Sequence, residues 1–72
     1  MKFHVMDHTG HSTEDFDTAD IVGHSEAMAR FDALKERKFA AFKSLGDGKH
    51  QQIKAFDTDA ETVLFVPALQ GG

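Results

Sequence analysis

Thr62-Val63-Leu64-Phe65-Val66-Pro67-Ala68-Leu69-Gln70-Gly71-Gly72 closes the sequence, and its first half decides the fold. Thr62 to Val66 is an unbroken β-branched, aliphatic and aromatic run, the pattern of a strand buried on both sides and hence central in its sheet. Pro67 has no N–H to give to a ladder and ends that strand. A central strand so late in the chain requires earlier strands to flank it.

Working backward, Asp57-Thr58-Asp59-Ala60-Glu61 is polar and turn-forming. Before it, Phe39 to Leu45 and His50 to Phe56 flank Gly46-Asp47-Gly48. An Asp-Gly pair between two apolar-patterned runs is a strong hairpin signal. Further back, Ala27, Met28, Phe31 and Leu34 recur at helical spacing, with Ser25 as N-cap, Glu26 in the first turn and an end near Arg37. Arg30, Asp32, Lys35 and Glu36 occupy the opposite face. Ile21 and Val22, between Thr18 and Gly23, fit either a short strand end or an irregular lead-in. At the start, residues 2 to 6 alternate, with Phe3 and Val5 on one side and Lys2, His4 and Met6 on the other. His8-Thr9-Gly10-His11 forms a turn, and Ser12 to Asp17 returns with Phe16 inward. The acids crowding that second strand suit an edge, where charge discourages intermolecular pairing.

The expected class is α+β, in the order β-β-α-β-β-β: a mixed sheet covered by one helix, with the last strand beside the first. That layout is the β-grasp, and another small α+β sandwich is the alternative. The expected division is a domain over residues 1–67 and a flexible tail over residues 68–72.

At 72 residues the chain is one domain, near the lower size limit for an unaided core, and 40% hydrophobic against 28% charged residues is ordinary for a folded protein. Seven Phe and no Trp or Tyr predict a core of rings that need no polar partner. Without cysteine there is no disulfide, thiolate metal site or thiol nucleophile. Twelve acids against eight bases, with the bases scattered, argue against nucleic acid. No stretch approaches a membrane span or a signal-peptide core, so a cytoplasmic location is expected.

Glycine averages about 7% of residues, so two in the last positions coincide by chance in roughly 0.5% of chains. With the element order, terminal Gly71-Gly72 resembles the ubiquitin-like proteins and their prokaryotic relatives, the thiamin and molybdopterin sulfur carriers. Phe65 to Gly72 is similar to the carriers' ending of strand, proline-containing segment and diglycine. The carriers often have two adjacent prolines and a small residue before the glycines, where this chain has one proline and Gln70. The resemblance implies a non-enzymatic modifier or sulfur carrier whose reactive group is the Gly72 carboxylate. An E1-like adenylating enzyme would supply the catalysis and use the ATP, the chain itself holding no cofactor. A sulfur donor or a conjugation target would then take the acyl group. Gly71 and Gly72, lacking Cβ atoms, suit a narrow channel in that enzyme. Pro67, Leu69 and Gln70 form the stem that meets the partner, and a docking face is expected at His4, Met6, Lys54 and Phe56. The alternative function is a non-catalytic binding or accessory module that works through its sheet face, its tail passive.

Five histidines raise the question of a metal, with His8 and His11 as candidates and His4, Asp7 and His24 as possible neighbours. No known ligand spacing is matched, and none is expected to be bound. Asp57, Asp59 and Glu61 alternate like the opening of a calcium loop but lack its sixth-position glycine and distal glutamate. Gly46-Asp47-Gly48-Lys49 lacks the length and following helix of a phosphate loop.

Overall fold

A computed structural model describes residues 1–68. Six elements follow in order: β1 (Lys2–Asp7), β2 (Gly10–Asp15), α1 (Ile21–Glu36), β3 (Phe39–Gly46), β4 (Lys49–Ile53) and β5 (Thr62–Pro67). The five strands form one sheet in the order β2-β1-β5-β3-β4. β5 runs parallel to β1 and antiparallel to β3, so the last strand occupies the centre as its apolar run predicts. The result is an α+β mixed sheet with one helix, consistent with a β-grasp-like layout.

Alternation along the strands divides the sheet into two faces. Phe3 and Val5 of β1, Val63 and Phe65 of β5, and Phe39 and Ala41 of β3 are buried under α1, which contributes Ala27, Phe31 and Leu34. The Phe65 ring meets Phe3 at 4.9 Å and Phe31 at 5.7 Å between centroids, tilted rather than stacked, the arrangement favoured by the ring quadrupoles. Phe16 is half-buried against Phe3 at 5.1 Å, one residue past the end of β2. Glu14 of β2 also faces the helix side, and there Arg30 donates two hydrogen bonds to one of its oxygens and one to the other. An acid on that strand therefore ties the edge to the helix.

The helix departs from the sequence reading at its start. Ser25 is not the N-cap: α1 begins a turn earlier, with Asp20 as N-cap in extended backbone (φ −97°, ψ 142°) and the His24 N–H donating to the Asp20 carbonyl at 2.8 Å. Ile21 and Val22 are its first residues and stand 86% and 63% exposed. Gly23 is buried where the helix passes the Asp17 carbonyl, so closely that an added Cβ would overlap that oxygen. Met28, expected in the core, is 40% exposed, because the buried stripe runs through Gly23, Ala27, Phe31 and Leu34. At the other end Lys38 has φ 68°, the left-handed conformation usual for glycine after a helix.

Candidate functional site

The side of the sheet away from α1 has no covering layer among the described residues. Register builds it as rungs. His4 lies between Thr13 and Leu64, Leu64 between His4 and Phe42, and Phe42 opposite Gln52. Val66 lies opposite Ala40, and Met6 opposite His11. Leu64, Val66, Ala40 and Phe42 are half-buried and Met6 is 43% exposed. β5 is thus buried on one side only: Val63 and Phe65 are enclosed, while Leu64 and Val66 are shielded by their strand neighbours and nothing above them. The continuous run that marked it as central reflects two apolar faces, one inside the protein and one outside.

Histidines border this strip. The His4 Nδ1 lies 3.1 Å from the Thr13 hydroxyl, and its ring stacks on His11 with centroids 5.6 Å apart. His8 is exposed in the β1–β2 turn. Among the described residues no three His, Asp or Glu side chains converge as a metal site would require.

The expected docking residues separate. His4 and Met6 share the open face, and Lys54 follows β4 at its margin. Phe56 is elsewhere: beyond β4 the chain turns to the helix side, where Phe56 packs edge-on to Phe31 at 5.8 Å and to His24 at 5.4 Å. Its aromatic surface stabilises the core side, a placement hidden in the sequence because β4 ends at Ile53 rather than at Phe56.

The root of the tail is held. Pro67 lies opposite Phe39 as the last residue of β5, and the Ala68 N–H donates to the Lys38 carbonyl at 2.9 Å. Ala68 is therefore tied to the residue that precedes β3. Leu69, Gln70, Gly71 and Gly72 lie outside the described residues.

No known family, characterised protein or solved structure matches the chain. Among the described residues no helix is long and apolar enough to cross a membrane.

Two carboxylates have lowered pKa values, and both serve turns. The Thr9 hydroxyl donates to Asp7 Oδ1 at 2.6 Å and the Thr9 backbone N–H at 2.9 Å, lowering the Asp7 pKa. Lys43 Nζ lies 2.7 Å from Asp57 Oδ2 and the Asp59 N–H donates to Asp57 Oδ1 at 2.9 Å, lowering that carboxyl likewise. The alternating acids Asp57 and Asp59 are accounted for by this turn into β5. Lys38 lies at the basic end of the helix, and its left-handed backbone had one signal in the sequence, a side-chain-bearing residue where helix ends favour glycine.

Proposed function

We propose that the chain is a ubiquitin-like protein modifier or sulfur carrier, activated at Gly72 by a partner adenylating enzyme. The observation that carries this reading is the order β2-β1-β5-β3-β4, in which the central strand leads directly into the segment ending Gly71-Gly72. In the proposed reaction a carboxylate oxygen of Gly72 attacks the α-phosphorus of ATP and pyrophosphate leaves. A nucleophile then attacks the acyl carbon of the adenylate, and AMP leaves. Sulfide gives a thiocarboxylate directly, a persulfide gives an acyl disulfide that a further thiol of the partner cleaves to the thiocarboxylate, a partner cysteine gives a thioester, and a lysine amine an amide. The role of Gly71 is steric, since a residue without Cβ passes where others clash.

The test is intact mass. The purified chain, incubated with ATP in a competent host lysate, gains sulfur in place of oxygen or becomes conjugated. A variant lacking Gly71-Gly72 stays unchanged. An unaltered mass for the full chain removes the reading.

A second reading, a binding or accessory module with a passive tail, is favoured by a separate observation: Met6, Phe42, Leu64 and Val66 form one apolar strip on the side that α1 leaves open. Partner surfaces are commonly contiguous apolar patches with polar rims.

A further inference from the structure

The solvent side of α1 is apolar where the helix begins. Ile21, Val22 and Met28 are three of the five large apolar side chains exposed among the described residues, at 86%, 63% and 40%. They stand away from the buried stripe of Gly23, Ala27, Phe31 and Leu34. At helical spacing Ile21, Ser25 and Met28 fall in one row, at i, i+4 and i+7, and Val22 and Ala29 fall in the row beside it. Ser25 and Ala29 are exposed and short, so the larger side chains rise on either side of a shallow floor. Folding does not ask for this arrangement. β-branched residues are disfavoured in a helix, and Ile21 and Val22 give the core little surface in return. Neighbouring apolar side chains left in water and rimmed by charge mark an interaction site, unlike the single exposed residues ordinary on any surface.

The rim has one sign. Asp20 precedes the apolar rows, Glu26 borders them, and Asp32 and Glu36 continue along the helix, all four exposed. Arg30 is the one Lys or Arg between Asp20 and Leu34, and it donates to both carboxylate oxygens of Glu14 on β2. Lys35, Arg37 and Lys38 come only at the far end of the helix.

We propose that the outer face of α1, from Asp20 to Asp32, docks a cationic amphipathic helix of another protein. Its apolar stripe sits over Ser25 and Ala29, between Val22 on one side and Ile21 and Met28 on the other, and its lysines and arginines meet Asp20, Glu26 and Asp32. The occupant is a helix because the short side chains admit the ridge of another helix between taller neighbours. The sign of the rim decides against other occupants. Phosphates of nucleic acid and anionic lipid are repelled, and a second copy would set like carboxylates against each other. This surface lies on the opposite side of the sheet from the open face and does not depend on the chemistry of the tail.

The probe is a synthetic helix-forming peptide with Leu and Ala at i, i+3, i+4 and i+7 and with Lys and Arg on its flanks, titrated into the isotope-labelled full chain and followed by amide chemical shifts. Its controls are the same peptide with Glu for each Lys and Arg, a scrambled order of the same residues, phosphatidylcholine vesicles, and dilution of the chain alone. The cationic helical peptide alone shifts the amides of Ile21, Val22, Ser25, Met28 and Ala29, and its affinity falls several-fold from low to high salt. Ile21→Ser with Val22→Ser weakens it about tenfold and leaves the rest of the amide spectrum intact, since both side chains are largely in water. Glu26→Gln with Asp32→Asn weakens it several-fold at low salt and flattens the salt dependence. Leu45→Ser, at an apolar residue 54% exposed near the end of β3, leaves the affinity unchanged. The proposal is overturned if the cationic peptide does not bind, if the glutamate or scrambled peptide binds as tightly, or if the shifts gather on Met6, Leu64 and Val66. It is equally overturned if vesicles, or protein concentration alone, move the same α1 amides. An unaltered salt dependence in Glu26→Gln with Asp32→Asn overturns the role of the carboxylates.

Discussion

The helix-covered face of the sheet and its open face are written by alternate residues of the same strands, and both are apolar near the centre. On the covered face Phe3, Val63 and Phe65 are at most 1% exposed and meet other side chains on every side. On the open face Leu64 and Val66, their immediate neighbours in sequence, touch strand neighbours laterally and have no layer above them. Equal hydrophobicity therefore has two meanings within one strand. One set of side chains holds the fold together, and the other is available to something outside it.

The contrast breaks most sharply by truncation at one residue and then the next. Phe65→Ala should lower stability by about 3–5 kcal/mol through lost transfer energy and a cavity. Leu64→Ala should cost less, about 1–2 kcal/mol, since its side chain is only partly buried. Urea midpoints at unchanged slope measure both. Equal losses would show that the open face is structural after all.

A smaller effect is expected at Gly23, on the covered side. Alanine there would gain up to about 1 kcal/mol from helix propensity. Its Cβ, however, overlaps the Asp17 carbonyl, and backbone cannot swing away as a flexible side chain would. Overpacking should win by about 1–3 kcal/mol, seen as a lower thermal midpoint and early exchange of amides in the first turn of α1.

Lys38→Gly should move the other way, stabilising by up to about 1 kcal/mol as left-handed strain is relieved against the added freedom of the unfolded chain. Thermal midpoints measure the gain, and an unchanged or lower midpoint would contradict the strain at this residue.

The mildest prediction concerns Asp57. Its folded pKa is depressed by Lys43 and the Asp59 N–H, so its contribution is present above the unfolded value of about 3.9 and is lost as pH falls through the lower folded value. Asp57→Asn should therefore destabilise at neutral pH and converge on the parent chain in stronger acid. Parallel midpoint curves from neutral to acid pH would contradict this.

Strand order and the central place of β5 were legible because the Thr62–Val66 run and the Gly46-Asp47-Gly48 turn speak through strong local chemistry. The start of α1 was not. Ile21 and Val22 are exposed β-branched residues, and Gly23 imitates a breaker, yet close passage over Asp17 requires glycine there. Tertiary packing overrode propensity at those positions. On the candidate surface, alternation in β1 placed His4 and Met6 correctly, whereas Phe56 went to the core side because β4 stops short of it. The outward half of β5 was hidden by its own uniformity. A run that is apolar throughout does not reveal which of its faces has a cover.

The pairing of β1 with β5 also orders events in time. Each hairpin is local, but Lys2 meets Thr62 only after the helix and the second hairpin between them exist. Until then the two hairpins have no shared core and keep bare edges, a period of exposure to aggregation that closes in one step. The strand that joins the two hairpins is also the one that leads into the residues beyond Pro67, so a molecule with that strand docked has its five-stranded sheet complete.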